Sequence, residues 1–75
     1  MSKKDEIRNL KRVKIANAVK QIRVEKEIQQ KEIANWLGIS VSSYCMKERG
    51  NRPFLGEELE IIIDNLEIDS NRIYK

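Results

Sequence analysis

The chain has 75 residues, enough for one domain and one core, because a fold this small buries only about three fifths of the surface its unfolded chain exposes. With no histidine and one cysteine, Cys45, it lacks both the ligands of a zinc site and a partner for an internal disulfide, and its longest apolar run, Ile61-Ile62-Ile63, is far too short to cross a bilayer. The net charge of +3 is unevenly spread: residues 1–31 hold ten Lys or Arg against four acids and residues 32–75 five against eight, so a basic first part near a polyanion and plain solvated faces are both open readings.

Taken in chain order, Ile15, Ala18, Val19 and Ile22 recur at three- and four-residue spacing and predict a helix from about Arg12 to Lys26. The same face upstream carries Arg8, Lys11 and Arg12, so residues 1–11 read as a basic arm or as a helical extension with the weaker apolar pair Ile7 and Leu10. Gln30 to Leu37 predicts a second, short helix with Ile33, Ala34 and Leu37 inward. Gly38 ends it in the left-handed conformation, Ile39 drops into the core, and Ser40 caps a third helix from Val41 to about Arg49. Gly50, Asn51 and Pro53 form the next loop. A fourth helix is expected from about Gly56 to Leu66, with Glu57 and Glu58 in its first turn and Leu59, Ile62, Ile63 and Leu66 inward. A last turn after Asp69 folds Ile73, and with it Tyr74, back onto the domain. No strand alternation or repeat is visible, so the predicted class is all-α.

Chemistry points away from catalysis. The commonest general base is missing, and neither a glycine-rich phosphate loop nor a serine-centred elbow is present, so no enzyme activity, metal or cofactor is expected. The N-terminus, Lys3 and Lys4 followed by acids, has no apolar leader, which predicts a cytoplasmic protein; its length predicts no effector-binding module. Cys45 reads as a small helical filler, and Glu57, Glu60, Asp64 and Glu67 as a solvated face.

The informative stretch is Gln30 to Gly50. Two helices joined at a sharp angle by a short turn need a small residue at their approach, a glycine at the turn and apolar anchors on the second helix, and Ala34, Gly38, Ile39 and Tyr44 supply them in that order. With Val19-x-x-Ile22-Arg23, Ile28-x-Gln30-x-x-Ile33-Ala34-x-x-Leu37-Gly38-Ile39-Ser40 and Tyr44-x-x-x-Glu48-x-Gly50, the chain resembles the Cro/C1-type, or XRE, family of helix-turn-helix regulators of temperate phages. The resemblance runs from about Ile15 to Tyr74. It implies a compact four- to five-helix, lambda-repressor-like domain over residues 12–75, a homodimer, and double-stranded operator DNA as partner. By position it implies that Gln30 holds a phosphate at the start of the second helix, that Val41, Ser42 and Met46 face base edges in the major groove, and that Ser43, Arg49, Asn51 and Arg52 grip the backbone. The arm residues Lys3, Lys4, Lys11, Arg12 and Lys14 would add reach. Arg23 and Glu48 resemble a partly buried ion pair tying the first helix to the third.

The sequence departs from that pattern at several places. Of Val41, Ser42, Cys45 and Met46 only Ser42 is a strong hydrogen-bonding side chain, although valine and methionine can pack on thymine methyl groups. Lys47 stands where the family has an apolar residue, and Gln29 replaces the Ser or Thr cap. Trp36 is expected on the outer side of the second helix, covered there by Ile7 and Leu10 or contributing with Val41, Met46 and Phe54 to a protein-binding surface. A second reading follows: a phage-switch modulator or antirepressor that masks a partner repressor through its helix-turn-helix surface.

Overall fold

The computed structural model describes residues 3–74, and among them all regular structure is helical: α1 Lys3–Glu25, α2 Gln30–Leu37, α3 Val41–Glu48, α4 Gly56–Leu66 and α5 Asn71–Tyr74. The class is all-α, as predicted. No helix among the described residues is long and apolar enough to cross a membrane.

Each helix contributes to one core. Val19 and Ile22 of α1 meet Ile33 and Ala34 of α2, Tyr44 of α3, Leu59, Ile62 and Leu66 of α4, and Ile73 of α5. The first and last helices pack together, while α2 sits against both α3 and α4. This order leaves α3 with one side on the core and one side free.

Helix α1 has 23 residues and a length of about 34 Å at 1.5 Å per residue, close to the longest dimension of the molecule, 36 Å. It begins well before Arg12, so residues 3–11 are a helical extension. That stretch has no Gly or Pro and is rich in good helix formers, yet Leu10 within it is 70% exposed. Among the described side chains the buried stripe starts at Ile15 and Ala16. Ala18 is half-buried while Ala16 is fully buried, a rotation of the expected stripe toward the side where Arg23 meets Glu48 and Val13 meets Gly50.

Several helix ends depend on unusual backbone. Glu27 (φ 57°) and Glu67 (φ 54°) terminate α1 and α4 in the left-handed region, where a side chain is costly and glycine is the usual choice. Ile28 N–H then bonds Arg23 C=O at 3.1 Å and Ile68 N–H bonds Ile63 C=O at 3.2 Å, each delivering an isoleucine back to the core. At α5 the Asp69 carboxylate accepts the Asn71 N–H at 2.9 Å and so caps the last turn. Ile73 is buried as expected, but Tyr74 is 54% exposed and does not fold back.

Trp36 also differs from expectation. It is half-buried and packs against the core, because its position, three residues after Ile33, lies at the edge of the buried stripe and not opposite it. Leu10, exposed as it is, does not serve as its cover, and the side chain of Ile7 lies outside the described residues.

Candidate functional site

The corner between α2 and α3 is fixed by backbone geometry. Gly38 takes φ 68° and ψ 31°, its N–H bonds Asn35 C=O at 3.2 Å, and Ile39 N–H bonds Ala34 C=O at 3.0 Å. These bonds satisfy the last carbonyls of α2 while the chain reverses. Two residues on, Ser40 Oγ accepts the Ser43 N–H at 3.0 Å and starts α3. Gln29 gives α2 no side-chain cap, as its sequence implied.

The inner side of α3 is held by a five-residue polar cluster. Arg23 donates from Nε to Glu48 Oε2 at 2.9 Å and from Nη2 to Oε1 at 3.0 Å, and its remaining Nη1 bonds Ile28 C=O at 2.9 Å. Tyr44 donates its hydroxyl to Glu48 Oε2 at 2.5 Å, and Gln30 donates from Nε2 to Oε1 at 3.0 Å. Cys45 closes the set by donating its thiol to Gln30 Oε1 at 3.2 Å. Burial alone would raise the Glu48 carboxyl, but the bonds from Arg23, Tyr44 and Gln30 outweigh it and hold the group below the ordinary carboxylate range. Burial, helped by the neighbouring Glu48 carboxylate, pushes the Tyr44 phenol far above its ordinary value, and the bond to Glu48 raises Arg23 despite some desolvation. The expected Arg23–Glu48 pair is therefore present, and it is the centre of something larger.

Two expected roles change in this light. Tyr44, expected as an apolar anchor, also carries a polar role, its hydroxyl pointing inward to Glu48. The Gln30 amide, expected to hold a phosphate, spends its oxygen on Cys45 and one N–H on Glu48, because the crossing of α2 and α3 brings these side chains within reach. Only its second amide hydrogen and the first backbone N–H groups of α2 remain for an anion.

Outward, Val41 and Ser42 are exposed on α3 and Arg49 at its C-cap, with Ser43, Cys45 and Met46 partly covered. Ser43 Oγ is engaged by the Ser40 hydroxyl at 3.0 Å. Asn51 and Arg52 project from the turn after α3, which is secured by their own N–H groups bonding Met46 C=O at 2.9 and 3.3 Å. The structure thus brings Val41, Ser42 and Met46 onto one helix, with Arg49 at its C-cap and Asn51 and Arg52 just past it. Trp36 and Phe54 belong elsewhere: both pack on the core, and the Phe54 ring lies 5.9 Å from that of Tyr44. Like Met46, both are partly covered, whereas Val41 is exposed.

Lys47 is the residue whose part sequence reasoning missed. Its ammonium bonds Glu58 Oε1 at 2.7 Å and Pro53 C=O at 3.2 Å, and the same Glu58 oxygen accepts the Leu55 N–H at 2.8 Å. A lysine at an inward helical position needs a buried acceptor, and that requirement was the available signal. Away from α3, a hollow of about 290 Å³ opens between α1 and α5, lined by Lys11, Lys14, Ile15, Ile73 and Tyr74, with no acid–base pair in it. Among the described residues no group of three acidic or thiol side chains is placed to hold a metal.

Comparison with family models, curated proteins and solved structures returns no match for this chain.

Proposed function

We propose that this chain is a sequence-specific DNA-binding transcriptional regulator of the Cro/C1 type, from a phage or mobile element, acting in the cytoplasm as a homodimer. The observation that carries this reading is the two-sided α3: Tyr44 and Glu48 anchor its inner side, while Val41 and Ser42 stand exposed just past the corner fixed by Gly38 and Arg49 at the far end. A short helix held this way fits the major groove, and two copies would read half-sites about one helical turn apart. Ser42 would supply the directed hydrogen bond and Val41 and Met46 the contacts to thymine methyl groups. Arg49, Asn51 and Arg52 would face the phosphates, with Lys11 and Lys14 of the extended α1 adding positive charge.

The test is a binding series on duplex DNA from upstream of the protein's own gene at increasing salt. A DNA reader gives log affinity falling linearly with log salt, with a slope near −0.9 per phosphate contacted. Absence of binding at low salt would remove this reading.

One observation favours a second reading. Val41 is 43% exposed and Met46 partly so, which makes the uncovered surface of α3 more apolar than base recognition requires. A modulator that covers a partner repressor would use such a face, and Val41→Asp would then break the protein complex in a pull-down with that repressor.

A further inference from the structure

The turn that follows α3 is tied down from two directions. On one side Met46 C=O accepts the Asn51 and Arg52 N–H groups, with Gly50 at φ 83° making the reversal. On the other, Lys47 Nζ reaches past the turn to Pro53 C=O and to Glu58, which itself holds the Leu55 N–H. Lys47 and Glu58 are both largely buried, with side-chain exposures of 12% and 10%. Burying an ion pair is a poor route to stability, since desolvation of the two charges offsets most of their attraction, and an apolar pair of the same volume often does as well. What an apolar residue cannot do is bond the carbonyl of Pro53. The pair therefore supplies geometry: it fixes where the chain leaves α3 and where α4 begins, and so where Asn51 and Arg52 stand.

We propose that Lys47 is a positioning residue for the exposed turn at residues 49–52, holding Arg52 and Asn51 in place for the phosphates of duplex DNA by its bonds to Pro53 and Glu58. This rests on the DNA reading above. Lys47 itself, turned inward, touches no DNA.

The double variant Lys47→Met/Glu58→Gln tests it, because it removes both charges at nearly constant volume and leaves no orphaned ion that would unfold the domain; far-UV circular dichroism checks that it folds. Amide hydrogen exchange comes first. At Asn51 and Arg52 it should speed up about tenfold relative to the natural chain, while Ile39 in the α2–α3 turn stays unchanged. DNA binding comes second, with Arg52→Ala made in both backgrounds. In the natural chain it should flatten the salt slope by about 1, and in the double variant by less than about half of that, since a misplaced Arg52 has little left to lose. Purely structural loosening would leave the two slope changes equal, which overturns the proposal. So does unchanged exchange at residues 51 and 52, whatever the DNA arm gives. If the natural chain binds no duplex, the DNA reading fails, and faster exchange in the double variant still upholds Lys47 as the residue that orders the turn.

Discussion

Glu48 shows how much one side chain can organise. It is 5% exposed, and its two oxygens accept from Arg23, Tyr44 and Gln30, so removing any donor leaves a buried charge under-satisfied. Arg23→Met should cost about 3–5 kcal/mol in urea unfolding, because it strips the compensating charge and keeps the carboxylate. The cluster also sets two pH limits. Glu48 has a folded pKa below its unfolded value of about 4.3, so its contribution is complete above that pH and disappears as the pH falls through the lower folded value. Tyr44 has a folded pKa raised above its unfolded value of about 10, so its contribution is complete below that pH and is lost progressively above it. Chemical melts across pH should show both declines, and Tyr44→Phe should abolish the alkaline one. A gain is available at Glu67, where the left-handed φ of 54° burdens a side chain: Glu67→Gly should raise stability by about 1 kcal/mol, read as a higher melting temperature.

The helices themselves separate into those legible from sequence and those not. The bounds of α2 and α4 came out at Gln30–Leu37 and Gly56–Leu66 as read, since Gly38 and the spacing of Leu59, Ile62 and Leu66 mark them locally. The start of α1 was ambiguous because residues 3–11 favour a helix by propensity while their sequence carries only Ile7 and Leu10 of the apolar stripe that periodicity detects. The Arg23–Glu48 pair was legible through a resemblance, whereas the entry of Tyr44, Gln30 and Cys45 into it depends on how α1, α2 and α3 cross, which no local pattern encodes. Trp36 and Tyr74 were misplaced for the related reason that residues at the edge of a stripe turn in or out according to their neighbours. The two turn glycines make a testable contrast. At Gly38 a Cβ would meet nothing within 4 Å, so Gly38→Ala should cost only the backbone strain of about 1–2 kcal/mol. At Gly50, with φ 83°, the new Cβ would sit 3.2 Å from Val13 Cγ2, so Gly50→Ala should cost more, and adding Val13→Ala should recover the difference in thermal melts.

For the molecule as a whole, charge and core are separated along α1. The core begins at Ile15, and the turns before it carry Lys3, Lys4, Arg8 and Lys11. A chain starting at Arg12 should therefore keep its melting temperature within a few degrees while binding duplex DNA more weakly and with a flatter salt slope. A large fall in melting temperature would show that the extension supports the fold. The packing of α1 against α5 has a bearing on biosynthesis. Ile73, fully enclosed among residues made long before it, is synthesised after every other residue of the core. Until α5 clears the exit tunnel the nascent polypeptide presents an unsealed apolar cleft along α1, so the core closes only with the emergence of its fifth helix.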